Sequence, residues 1–72
     1  MIAPPELTEK EMLVLQGLTR GDTQAAMAYR LHVSQRRIED IVQAIKEKFE
    51  APSSTNAVAK AVKFRVVDPD NE

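Results

Sequence analysis

Apolar residues recur every three or four positions along most of this 72-residue chain, which is the spacing of amphipathic helices. The pattern is strongest over residues 34–49, where one helical face carries Ile38, Ile41, Val42, Ile45 and Phe49. A shorter helix is predicted over residues 24–31, and His32-Val33 forms a tight turn between the two. Two helices in this order predict a helix-turn-helix.

The positions within this unit match the needs of two packed helices. Its core-facing residues are predicted to be Met27, Leu31 and Val33. Ala28 stands where the two helices approach closely. Asp22 or Thr23 is predicted to cap the first of these helices and Ser34 the second, because such side chains accept hydrogen bonds from first-turn N–H groups.

Start and stop signals predict two further helices. Residues 8–11 form a capping box that begins one of them, and Gly21 ends it near residue 20. Pro52-Ser53-Ser54 breaks the long amphipathic helix, and a fourth helix is predicted from about Thr55 to Lys63. The predicted fold class is therefore all-α, with four helices.

One domain is expected over residues 7–65, between an extended lead-in at residues 1–6 and an acidic tail at residues 66–72. The end of that tail lacks apolar side chains and is expected to fray. A short extended segment is predicted over residues 64–67. Because the first helix begins so close to Met1, we expect a stand-alone protein without an attached sensing domain.

The composition offers little for catalysis or for a membrane. The chain has no cysteine, one histidine and two glycines, and its carboxylates are scattered, so we expect no enzyme, no cofactor and no metal site. It has no apolar run long enough to cross a bilayer and no signal peptide. A cytoplasmic protein without a membrane partner is expected.

Net charge weakens the prediction of a large phosphate-binding surface. Ten basic and eleven acidic side chains give a net charge of −1, whereas proteins that bind nucleic acids usually carry a basic excess. The placement of charge therefore matters more than its sum.

The order of residues resembles the LuxR/GerE-type DNA-binding domain over about residues 7–64. The matching positions are Leu7-Thr8 with Glu11, Val14-Leu15, Gly21, Met27-Ala28, Leu31, Ser34, Ile38, Ile45, Lys48-Phe49 and Ala57 with Ala61. The resemblance implies that the third helix enters the major groove of double-stranded DNA and that the fourth helix often pairs in a dimer.

Several positions depart from the pattern of that family. They are Ala26 in place of a capping glutamate, Arg37 in place of threonine, Ile41 in place of histidine and Ser54 in place of arginine. The resemblance also implies that the base-reading positions fall on Glu39, Asp40 and Gln43. Two carboxylates there are unusual, because they repel phosphate.

The third helix carries the candidate DNA-binding residues. Ser34, Arg36 and Arg37 are predicted to contact phosphate at its N-terminus, with Lys46 and Arg30 at the edges of the groove. The bases are predicted to be read by Glu39, Asp40 and Gln43, since carboxylates accept from cytosine and glutamine pairs with adenine. Alternatively, the two arginines pair with carboxylates of their own helix.

Two other surfaces have two interpretations each. Small residues of the fourth helix either pack only on the core or form a homodimer interface, and these are Ala57, Val58, Ala61 and Val62. Tyr29 is either a packing residue or a phosphate donor. A dimer is expected for useful DNA affinity, because two-fold pairing doubles the contacts.

A protein-binding module of the same fold is the alternative hypothesis. In this case the mixed-charge third helix binds another regulator or the transcription machinery, because mixed charge suits a protein surface better than a polyanion. Reversing the charges of Glu39 and Asp40 would then abolish the protein contact.

Overall fold

A computed structural model of the chain describes residues 5–64, which form four helices. They are α1 (Glu9–Arg20), α2 (Gln24–Leu31), α3 (Gln35–Lys48) and α4 (Ser54–Lys63). No strand occurs within the described range, so the predicted all-α, four-helix fold is confirmed. Phe64 caps the end of α4, while the rest of the predicted extended segment and the acidic tail lie outside the described residues.

Each helix begins at a hydroxyl side chain that accepts from the backbone N–H three residues later. The capping box of α1 is confirmed, since Thr8 accepts from Glu11 at 3.1 Å and the Glu11 carboxylate accepts from the Thr8 N–H at 2.9 Å. Thr23 caps α2 and Ser34 caps α3, both at 3.0 Å. Ser53 caps α4, so this helix begins one residue earlier than predicted.

The helix α3 is the centre of the domain, because it packs against each of the other three helices. Its apolar face is buried as predicted, and the largest fully buried side chains of the core are Val14, Leu15, Met27, Ile38 and Ile45. Leu31 and Val33 pack against the edge of this core and remain partly exposed. Burial of the apolar face of α3 is a main source of the free energy that stabilises the packing of the four short helices.

A close approach of α1 and α2 occurs at Gly17, which the sequence pattern did not reveal. A Cβ atom placed on Gly17 would lie 2.5 Å from the Met27 sulfur, well inside van der Waals contact. The buried Met27 side chain therefore needs a glycine opposite it. Ala28, where close packing was predicted, is also buried.

The turn between α2 and α3 depends on one residue in the left-handed conformation. His32 ends α2 with φ 59° and ψ 43°, and the next N–H, from Val33, donates to the carbonyl of Ala28 at 3.0 Å. This bond closes the C-terminus of α2 before α3 begins. The histidine thus has a backbone role, and no group of metal-binding side chains occurs within residues 5–64.

Two lysines tie α3 to its neighbours. Lys48 donates to the Glu11 carboxylate of α1 at 2.6 Å and to the Glu6 carbonyl at 3.1 Å. Lys60 of α4 donates to the carbonyls of Phe49 and Glu50 just beyond the end of α3, at 3.0 and 3.1 Å. Lys60 thereby satisfies carbonyls that the end of α3 leaves unpaired, and its charge suits the negative end of that helix.

The Glu11–Lys48 pair is expected to make stability fall in acid. The hydrogen bond from Lys48 is the main reason that the pKa of Glu11 lies below its ordinary value of 4.5. Because the pKa is lowered in the folded state, the stabilisation is complete above pH 4.5 and is lost as the pH falls through the lowered pKa. Glu11→Gln should cost about 1–3 kcal/mol at pH 7 and flatten the acid side of the pH profile.

Thermal unfolding at pH 7 and at pH 3 tests this prediction. Glu9→Gln is the matched control, because Glu9 lies exposed in the same first turn. An acid profile of Glu11→Gln that matched the wild type would contradict the role of the pair.

Candidate nucleic-acid interface

The face of α3 opposite the core is a ridge of four polar side chains. Helical spacing places Arg36, Asp40, Gln43 and Glu47 there, and all four are exposed. Glu39 is exposed on one flank and Arg37 on the other, while Lys46 is partly exposed. The predicted DNA-binding residues of α3 therefore share one helix and are accessible from outside the domain.

The ridge is internally paired. Arg36 lies 3.6 Å from the Asp40 carboxylate, and the Gln43 amide donates to Glu47 at 3.4 Å. The arginine and the aspartate are 82% and 58% exposed, so the pair contributes little to stability and separates readily. Arg36 is thus paired with a carboxylate of its own helix, as one of the two interpretations predicted. The pair is weak enough for a phosphate to replace Asp40 as the partner of Arg36.

Arg37 and Glu39 differ from the paired ridge. Within residues 5–64 neither side chain has a hydrogen-bond or ion-pair partner. Arg37 therefore offers a guanidinium that needs no release from a carboxylate, and Glu39 offers two unpaired acceptor oxygens. Pairing of Arg37 with a carboxylate of α3, which was the alternative interpretation, does not occur within residues 5–64.

Positive charge is concentrated at the start of α3. Arg36 and Arg37 follow the Ser34 cap, and the first turn contains no acid. The positive end of the helix dipole adds to the two cations. Farther along α3, three acids (Glu39, Asp40 and Glu47) outnumber two lysines (Lys46 and Lys48), so the N-terminal end of the helix is the part that favours an anion most.

Arg30, which was predicted to lie at the edge of the groove, is paired with an aspartate. It donates to the Asp22 carboxylate at 2.7 Å, and Arg20 donates to the same oxygen at 2.9 Å. Arg30 first, and then Arg20, hold the pKa of Asp22 below its ordinary value of 3.8. Sequence reasoning missed this cluster, because its members lie in three different segments and have no motif spacing.

The stripe of small residues on α4 divides into two parts. Ala57 and Ala61 are 0% exposed within a single chain, so a second copy cannot reach them without rearrangement of the core. Val58 and Val62 remain partly exposed, and Val58 lines a shallow hollow with Leu18 of α1. The stripe is therefore a core contact for its alanines and a partly open surface for its valines.

Comparison with known proteins assigns this helix-turn-helix to a family. The family described as bacterial regulatory proteins, luxR family, matches residues 5–61. The chain belongs to the LuxR family. It is thus a helix-turn-helix domain of the DNA-binding, transcription-regulating class, as the resemblance of its sequence predicted.

Two relatives place the LuxR-family domain among larger proteins. It is 36% identical over 66 residues to the transcriptional regulatory protein YdfI of Bacillus subtilis (strain 168), covering 92% of this chain and 31% of YdfI. It also resembles the solved structure titled VqmA bound to DPO, with a TM-score of 0.78 and 27% identity, over 89% of this chain and 33% of that one. The LuxR-family domain thus spans about a third of each relative.

None of the helices within residues 5–64 of the LuxR-family domain has the length and hydrophobicity of a membrane span.

Proposed function

We propose that this chain binds double-stranded DNA through α3, lying in the major groove, and thereby regulates transcription in the bacterial cytoplasm. The observation that carries the proposal is the start of α3, where two exposed arginines follow a capped helix N-terminus with no acid in the first turn. Cations and helix N-terminal N–H groups are what a phosphate backbone requires. Ser34, Arg36 and Arg37 would supply the phosphate contacts.

The residues proposed to read bases lie in the turns of α3 after the first. Glu39 can accept from the amino group of cytosine, because its carboxylate is exposed and unpaired within the described residues. Gln43 can pair with adenine, once its weak bond to Glu47 is given up. Asp40 would orient Arg36 or accept from a second base, and Lys46 would contact the backbone at the groove edge.

The proposal includes a homodimer. One chain presents few cations beside several acids, so a single copy is expected to bind weakly. Two copies related by a two-fold axis would place α3 in successive major grooves. The exposed parts of Val58 and Val62, beside the hollow at Leu18, are the surface of α4 open to such a contact.

A salt titration of binding to genomic DNA fragments tests the proposal. Fragments should be retained at low salt, and the logarithm of the binding constant should fall linearly with that of the salt concentration. Sequencing the fragments that persist at higher salt would give the preferred site. If no fragment is retained at low salt, the proposal is wrong.

A charge on the exposed part of α4 is expected to separate the dimer. Val58→Asp would bury a carboxylate against the second copy, so the protein should sediment near the 8.1 kDa of one chain and bind DNA more weakly. Ala59→Asp is the control, because Ala59 is exposed on the same helix outside that hollow. Equal sedimentation of both variants and the wild type would contradict an interface at Val58.

A second candidate function is a protein-binding module, favoured by the paired ridge of α3. A surface on which Arg36 already meets Asp40 has less need of a polyanion than a basic helix has. The double substitution of Glu39→Lys and Asp40→Lys distinguishes the two candidate functions. Loss of a protein partner would favour the protein-binding module, whereas tighter and less selective DNA binding would favour binding of α3 in the major groove.

A further inference from the structure

Tyr29 is the most exposed large apolar residue within residues 5–64. Its side chain is 87% exposed on α2, so it is not a packing residue of this domain. Its hydroxyl has no hydrogen-bond partner among the described side chains and carbonyls. A ring this open leaves its hydroxyl available to a molecule outside the domain.

The side chains that precede Tyr29 on its face of α2 are small and uncharged. Helical spacing places Ala25 and Ala26 one turn earlier on the same outward face, and both are exposed. The helix α2 has no acidic residue anywhere, in contrast to α3. Helical side chains lean toward the N-terminus, so the ring is directed toward the side of α2 on which these two alanines lie.

We infer that the Tyr29 hydroxyl donates a hydrogen bond to a phosphate oxygen of the DNA backbone. The inference rests on the proposed function, and it adds a contact from α2 to those of α3. In a helix-turn-helix the first helix crosses the backbone while the second enters the groove. The absence of carboxylates and the short alanines let a phosphodiester approach this face, and the phenol supplies a donor without charge.

The same geometry fits a protein partner less well. Exposed tyrosines also occur at protein interfaces, where the ring fills an apolar pocket. The exposed neighbours of Tyr29 at helical spacing are Ala25, Ala26 and His32, which offer little apolar area for such a partner to bury. The first turn of α3, the next helix along the chain, carries Arg36 and Arg37 and favours an anion.

Tyr29→Phe tests the inference, because it removes the hydroxyl and keeps the ring. Binding to mixed genomic fragments should weaken about three- to tenfold for every sequence. The slope of the salt dependence should stay the same, since a neutral donor releases no counterion, whereas Arg37→Ala should lower that slope by about one. Thermal stability should not change, since the side chain packs on nothing.

Controls separate this contact from the proposed function. Leu13→Ala trims the other exposed large apolar residue, which lies on α1, and should bind DNA like the wild type. Equal affinity of Tyr29→Phe and wild type would overturn the inference and leave the function of α3 intact. Failure of the wild type to bind would overturn both. Loss of a protein partner in Tyr29→Ala with DNA binding unchanged would identify a protein surface and also overturn the inference.

Discussion

Replacing Arg36 and Arg37 together with alanine is expected to lower DNA affinity about a hundredfold at low salt, equally for all sequences. Each guanidinium makes a charge-assisted contact, and losing about 1.4 kcal/mol for each multiplies to that factor. The slope of the salt dependence should fall by about two for each chain, because two cations no longer release counterions. A filter-binding or anisotropy titration at several salt concentrations measures both quantities.

The single variants should differ, and the reason is structural. Arg37 has no side-chain partner within residues 5–64, whereas Arg36 must leave Asp40 before it meets a phosphate. Arg37→Ala should therefore cost more affinity than Arg36→Ala. Lys10→Ala is the matched control, because it removes one exposed cation from α1. A double variant that binds like this control would disprove the assignment of the groove face.

Replacing Ile45 with alanine is expected to unfold much of the population. Ile45 is 0% exposed in the C-terminal half of α3, the helix that contacts all the others. Such truncations cost about 2–5 kcal/mol, from lost burial and from the cavity left behind. A domain of this size has a total stability of roughly 4–11 kcal/mol, so little remains.

Urea unfolding followed by circular dichroism measures this loss. Leu13→Ala serves as the comparison, because it also removes an apolar side chain but from a site that is 40% exposed. The Ile45 variant should have a far lower midpoint than the Leu13 variant. Similar midpoints would mean that the core does not depend on the centre of α3.

Local signals allowed most of the fold to be predicted from the sequence. Helix starts at Thr8, Thr23 and Ser34 depend on a hydroxyl and an N–H three residues apart, so the information is contained within one turn. The start of α4 was missed by one residue, because Ser53 and Ser54 are equivalent in sequence and only the backbone decides which of them accepts.

The sequence predicted which side chains of α3 are exposed, but it did not predict which of them are ion-paired. Spacing alone placed Arg36, Asp40 and Gln43 on the solvent face, since the buried face of the helix is so regular. Whether an exposed arginine pairs with a carboxylate of its own helix depends on rotamers, which spacing does not specify. The pairing of Arg36 and the unpaired state of Arg37 are therefore features of the structure.

The sequence by itself determined the four helices, the caps of the first three, the buried face of α3 and the membership of a helix-turn-helix family. Each of these depends on residues within one or two turns or on a linear pattern. Only the tertiary structure decided the contacts between distant segments. These are the Lys48–Glu11 pair, the approach of Gly17 to Met27 and the pairing of Arg30 with Asp22. The tertiary structure also decided that Tyr29 is exposed. The physical reason is the same in each case, because the surroundings of a side chain depend on how separate segments meet once the helices have packed.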